Sequence, residues 1–406
     1  MQVPMAYPDL TEADISAVDR VLRTPSLSMG PQIEAFERAI ASYAGVRHAV
    51  AVSSGTAGLH LAVIVAGVGE GDVVITTPFS FVASANCILY ERAIPIFVDI
   101  DPQTLNIDPA LVARAADDLV RGGRAAGDWL PPSERGRFLR GTRSGVGKRA
   151  ALPVKREPKA ILAVDVFGQP ADLDSLRRVA DRHGLALIED ACEAIGAGYK
   201  GRKAGTLGDV GVFAFYPNKQ MTTGEGGVIV TDRDDWDLLC RSLRNQGRDE
   251  SGTWLNHVRL GYNYRLDEMS AALGASQLAR IEELLHKRHR AAQMYDERLR
   301  EIDGLSVPHV ASTTSRMSWF VYVVRLDAQV DRDAVMSRLH EQGIACRPYF
   351  TPIHLQPLYV ERFGYRDGDM PVTEAVARST LALPFYNQLD EATIEYVAHG
   401  LRRALR

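Results

Sequence analysis

The chain has 406 residues, 46% of them hydrophobic and 24% charged, with 47 basic residues against 51 acidic ones for a formal charge of -4. That length suggests two or three structural units around sizeable cores. The charge balance argues against nucleic acid as a partner, no apolar run reaches membrane-span length, and MQVPMAYPDLTEADI lacks the basic start and apolar stretch of a signal peptide. Four scattered cysteines without a C-x-x-C pair read as reduced thiols of a cytoplasmic protein.

In chain order, Thr11-Glu12-Ala13-Asp14 reads as a capping box that opens a short helix, with Asp14 in place of the usual Glu or Gln. Ile33 to Tyr43 repeats apolar residues at helical spacing. HAVAVSS (48–54) is a short β-rich run that breaks at Gly55 into a helical pattern. DVVITTP and IPIFVDID read as strands, with FVASANCILY a helix between them. Residues 121–159 hold eleven Lys or Arg, three Asp or Glu and seven Gly, without periodicity. They read as a solvated insertion, or as a basic flap that attracts an anionic substrate. ILAVDVFG is a buried strand, LDSLRRVADRHG an amphipathic helix stopped by Gly184, and LALIED the next strand. This alternation predicts βαβ units and a mostly parallel sheet. From about residue 250 the texture changes. Leu266 to Leu299 is mostly helical, SWFVYVVRL is a strand, and AVMSRLHEQG and the tail from Glu391 are helices. The expectation is a large α/β/α domain over 1–250, with a basic insertion at about 112–158, and a smaller C-terminal α+β domain over 251–406.

Three features carry candidate chemistry. Ser53-Ser54-Gly55-Thr56-Ala57 follows a strand and opens a helix, so small residues and a helix N-terminus could receive an anion; an ordinary tight turn is the alternative. Asp190 ends an apolar strand, at the edge where open α/β sheets bind ligands, although taken alone it reads more readily as the cap of the next segment. Lys219 sits in a polar turn between VFAFYP and a glycine-rich segment. A Schiff-base lysine must be held rigidly and react as the free amine. The other lysines lie in a hairpin-like stretch (Lys200, Lys203), in the basic stretch (Lys148, Lys155, Lys159) or on a polar helix face (Lys287). Tyr216 and Tyr262 read as pocket or packing tyrosines, and Cys192 as a small buried filler.

The series SSGTAGLHLA, TPFSFVASAN, VDID, FGQPAD, IEDACEAIGAGYKGRKAGTLGDVGVFAFYPNKQMTTGEGG, LGYNYRLDEMSAALGASQL and RPYFTPIHLQPLY resembles the DegT/StrS family of sugar aminotransferases from end to end, apart from roughly 110–158. The resemblance implies the aspartate-aminotransferase fold (type I) and pyridoxal 5'-phosphate (PLP) as cofactor. It implies Lys219 as the Schiff-base lysine and proton carrier, and Asp190 as the partner of the pyridinium nitrogen that makes the ring an electron sink. Gly55, Thr56 and Ala57 would form the phosphate turn, Phe81 would stack on the ring, and Glu193 would lie near the ring hydroxyl. Asn263 would reach the phosphate of a neighbouring subunit, making a homodimer obligatory, and His354 and Tyr349 would lie in the substrate pocket. The implied substrates are glutamate and a keto sugar on a nucleotide, with C4 favoured because TTGEGG resembles perosamine-forming enzymes; no metal is implied. A keto-cyclitol substrate and a non-catalytic PLP-binding regulator are the alternatives. Two departures stand out. Ala214 replaces a serine that many family members place before the lysine. Glu193 replaces a Gln or His, so it must be turned away or protonated beside an anionic ring oxygen.

Overall fold

The structure, a computed structural model, describes residues 1–135, 158–249 and 256–406. A seven-stranded sheet takes β1 (His48–Val52), β2 (Val73–Thr76), β3 (Ile94–Phe97), β4 (Pro158–Val164), β5 (Ala186–Asp190), β8 (Val210–Ala214) and β9 (Gly227–Thr231). Between β5 and β8, β6 (Gly198–Tyr199) and β7 (Arg202–Lys203) form a small hairpin, as YKGRKAG suggested. The sheet order is β1-β9-β8-β5-β4-β2-β3. β8, β5, β4, β2 and β3 pair in parallel, and β9 pairs antiparallel with both β8 and β1, so β1 shares the common direction.

These strands are apolar because both faces are covered. Alternate residues feed opposite layers. Val74, Leu162, Ile188 and Val212 pack with the helices Gly55–Val65 and Asp234–Arg244. Val73, Ile75, Ile161 and Leu187 pack with Pro109–Arg121 and Leu173–His183. Near β1 and β9 the helices Pro31–Ala44 and Glu268–Ala279 add a further cluster. The result is an α/β/α sandwich, the layering expected for the large domain.

Local signals behaved as their chemistry predicts. Asp14 closes the capping box, accepting the Thr11 backbone N–H at 2.9 Å. Gly184 ends its helix in the left-handed region at φ 64°. The helical stretch from Leu266 to Leu299 is two helices, Glu268–Ala279 and Ile281–Leu299, broken at Arg280.

A second sheet orders β10 (Leu305–Ser306), β12 (Tyr322–Leu326) and β13 (Thr380–Leu383), while β11 (Thr314–Arg316) joins the β6–β7 hairpin. The helix Ile281–Leu299 passes from one core to the other. Its Ile281, Leu284 and Leu285 pack with the first sheet, and its Ala291, Tyr295 and Leu299 with the second. The chain start joins this second core too, with the Val3 N–H bonded to the Gly343 carbonyl at 2.9 Å.

The basic stretch needs correcting at both ends. Gly123–Trp129 is helical, Ala126 and Leu130 are core residues, and β4 begins at Pro158. Arg135 ties the stretch down by donating to the Leu130 carbonyl at 2.8 Å. Apolar side chains spaced between glycines and charges escape a search for periodicity, yet they bury against the sheet. Residues 136–157 lie outside the described residues.

Candidate active site

Because β1, β2, β5 and β8 run the same way, their C-terminal ends open on one edge, where ligands of open α/β sheets bind. A cavity of about 870 Å³ lies there. The turns after these four strands deliver Gly55 and Thr56, Phe81, Asp190 with Glu193, and Lys219 to its wall. Tyr349 lines it from the far side, stacked at 5.0 Å on Phe350.

The helix Gly55–Val65 begins at the cavity, with its N-cap Ser54 accepting the Ala57 backbone N–H at 3.1 Å. Ala57 is therefore engaged in the cap and lies outside the lining, whereas Gly55 and Thr56 face the cavity. A Cβ on Gly55 would stand 2.6 Å from the Ala214 Cβ and 3.0 Å from the Cys192 sulfur. The sequence thus needs glycine there because strand β8 presses directly on the helix start.

Asp190 is 5% exposed, and its Oδ1 accepts the Cys192 backbone N–H at 3.2 Å. Burial pushes its carboxyl up, while hydrogen bonds from the Cys192 thiol and backbone and the Lys219 charge pull it down. The Cys192 thiol is itself pushed well up by burial and by Asp190, so it stays protonated and is a donor rather than a nucleophile. Behind Asp190 sit two more buried carboxyls. Glu189 accepts backbone N–H groups from Gly205 at 2.6 Å and from Leu207 at 2.7 Å. Asp165 Oδ1 accepts the Ala171 N–H at 2.9 Å, and its Oδ2 meets no donor. Burial first, then the charges of Glu189 and Asp190, raise Asp165 well above the carboxylate range. Burial raises Glu189 as well, with backbone donors and Asp165 opposing, so those donors favour Glu189 as the anion and Asp165 as the carboxyl that keeps a proton.

The Lys219 Nζ stands 3.7 Å from Glu193 Oε1 and 3.8 Å from the centre of the Phe320 ring. Glu193 faces the cavity and is not turned away. Its Oε2 accepts the Phe167 N–H at 2.8 Å, and burial raises its carboxyl against the opposing pull of Lys219.

His354, expected in the substrate pocket, stands elsewhere, and Asn263 was expected only at a neighbouring subunit's site. His354 is fully buried and bonded to Glu374 at 3.0 Å; its short helical turn faces Ile353 to the cavity and His354 to the core, so the expected substrate contact is not made. Asn263 is exposed and outside the chain's own cavity. Of the two tyrosines, Tyr216 lines the cavity, while Tyr262 stacks on Tyr264 at 5.0 Å. Sequence reasoning missed Phe320, Phe167 and Asp165. The first two act through a ring or backbone brought from distant segments, and nothing local marks them. Asp165 did carry a signal, since a carboxylate at the end of a buried strand demands a partner.

Residues 8–119 and 148–402 match the DegT/DnrJ/EryC1/StrS aminotransferase family, and the interruption falls within the basic stretch. The chain is 38% identical over 381 residues to the GDP-perosamine synthase of Caulobacter vibrioides, covering 93% of this chain and 91% of that one. Among solved structures it is similar to DesV of S. venezuelae in complex with a ketimine intermediate, at TM-score 0.83 and 32% identity, covering 100% and 99%. It is also similar to PseC of Helicobacter pylori, an aminotransferase in pseudoaminic acid biosynthesis, at TM-score 0.84 and 25% identity, covering 100% and 99%. A family match over most of its length and a cavity built from the expected strand ends make the chain a member of the DegT/DnrJ/EryC1/StrS family, and with it a sugar aminotransferase.

Proposed function

We propose that the chain uses PLP to move an amino group from glutamate to a keto sugar carried on a nucleotide diphosphate, with the 4-keto position favoured. The observation that carries the reading is one cavity walled by Lys219, Asp190 and the N-terminus of the helix Gly55–Val65. Amine, buried carboxylate and helix start are the donor set this cofactor needs, and the absence of a Cβ at Gly55 lets that helix start sit directly against β8 beside the other two. When bound, the cofactor supplies an electron sink for the carbanion left by proton removal.

The chain's own residues supply the rest. Gly55 and Thr56 offer backbone N–H groups to the phosphate. Asp190 keeps the proton on the ring nitrogen, and the neutral Asp165 behind it spares the site another negative charge. Phe81 covers a ring face. The Lys219 Nζ removes the proton from the donor carbon and delivers one to the acceptor carbon. Glu193, with its raised affinity for a proton, can donate to the ring oxygen. Tyr349 bounds the sugar side.

The assembly we propose is a homodimer in which Asn263 of each copy completes the phosphate site of the other. The exposure of Asn263 and of nearby Leu260, 85% exposed, supports it. A reducing cytoplasmic setting agrees with four unpaired cysteines. Glutamate should bleach the visible band of lysine-bound PLP, and one member of a panel of nucleotide keto sugars should restore it. Lys219→Ala should do neither. Full turnover by that variant would refute the assignment, and PLP binding without any response to amino donors would favour a regulator.

A further inference from the structure

Arg288 lies on the helix Ile281–Leu299 where that helix passes between the two cores, and it is 2% exposed. Among the described residues no carboxylate forms an ion pair with it. Burial lowers its pKa to about 10, with Asp9 opposing, so the guanidinium stays charged at neutral pH. A buried, unpaired cation is costly unless its donors are satisfied. Four carbonyl oxygens take up the two terminal nitrogens, while Nε meets no acceptor among the described residues. One terminal nitrogen donates to Lys219 at 2.8 Å and Asn218 at 3.2 Å, and the other to Phe320 at 3.1 Å and Trp319 at 3.2 Å.

These two pairs of peptide groups matter to the same amine. Lys219 is the reactive residue, and the Phe320 ring packs against its Nζ. The Lys219 N–H is bonded to the Tyr216 carbonyl at 2.9 Å, so with Arg288 on its C=O both backbone groups of the lysine are fixed. The Phe320 segment is fixed in turn, its N–H donating to the Phe167 carbonyl at 3.2 Å. Only side-chain torsions remain free at Lys219. That is what a residue needs if its amine must leave one bond, carry a proton and return to the same place.

Resting on the reading of Lys219 as the Schiff-base lysine, we propose that Arg288 is a positioning residue for transamination. It clamps the backbone of Lys219 and of Phe320 on one guanidinium, so that the amine swings from a fixed origin. A lysine at this position would keep the charge but could not span four carbonyls in two directions.

The test compares Arg288→Lys and Arg288→Met with the unmodified full-length protein reconstituted with PLP. Per bound cofactor, the glutamate half-reaction should slow at least tenfold in Arg288→Lys and further in Arg288→Met. The pH midpoint of the visible band of lysine-bound PLP should move. In cofactor-free protein, amide exchange at residues 218–220 should accelerate at least tenfold with the sheet unaffected. Should Arg288→Met fail to fold, Arg288→Lys decides alone. A half-reaction within twofold of the parent and an unmoved midpoint would overturn the proposal, even with a lowered melting temperature, because that is the behaviour of a purely structural tether. If the parent protein forms no lysine-bound band, the Lys219 reading falls and takes this inference with it.

Discussion

Gly55→Ala is the substitution whose effect the geometry fixes most tightly. The added methyl would stand 2.6 Å from the Ala214 Cβ and 3.0 Å from the Cys192 sulfur, where carbon atoms pack at about 3.5–4.0 Å. Neither side can yield cheaply. The Ala214 Cβ is attached directly to β8, which is hydrogen-bonded on both edges by β5 and β9, and the helix start is held by its Ser54 cap. Forced overpacking costs about 1–3 kcal/mol, and the better helix propensity of alanine offsets up to about 1 kcal/mol of it. The net cost to stability is about 0–3 kcal/mol, and because the strain falls on the N-terminus that we assign to the phosphate, PLP should bind about tenfold more weakly where about 1.4 kcal/mol of it is felt by the bound site. Titration of cofactor-free protein with PLP, alongside denaturant unfolding, measures both effects. Ala214→Gly removes the obstructing methyl, and the double variant Gly55→Ala/Ala214→Gly should recover most of the loss, with a coupling of about 1 kcal/mol or more. Strictly additive effects, or PLP affinity unchanged in Gly55→Ala, would refute the claim that β8 and the helix start set this site.

Asp190→Asn should still bind PLP but turn over on the order of a hundredfold more slowly, since losing one partner of a buried charge pair costs about 2–5 kcal/mol; an unaffected rate would mean another group protonates the ring. Asp165→Asn should change the pH dependence of stability. A carboxyl whose folded pKa is raised contributes stability that is complete below its unfolded pKa and lost as pH rises through the folded one. The parent should therefore lose ground to Asp165→Asn with rising pH, and a stability gap constant with pH in denaturant titrations would place the proton elsewhere. Leu130→Ala, within the basic stretch, should cost about 2–5 kcal/mol because Leu130 is a fully packed core residue; a change below about 0.5 kcal/mol in unfolding free energy would return 121–135 to the status of a solvated loop.

What the sequence determined is what depends on neighbours a few residues away. Continuous apolar runs, helical spacing, glycine stops and the Thr11–Asp14 capping box marked strands and helices, strand ends marked where Gly55, Asp190 and Lys219 emerge, and the family resemblance added Phe81. Side chains that leave the ends of strands running in the same direction fall on one edge of the sheet, and the resemblance to a known family joined them into one expected site. Tertiary structure decided the rest, because burial and hydrogen bonding are set by segments distant in the chain. Glu193 faces Lys219 because the Phe167 N–H holds its other oxygen. Asp165 keeps a proton because Glu189 has already taken the backbone donors. His354 turns inward because Glu374 awaits it there. Arg288, one more arginine on a charged helix by its local pattern, becomes a buried clamp only when the turns at 218–219 and 319–320 close around it and exclude water. Desolvation gives these groups their chemistry, and no local stretch of sequence specifies it.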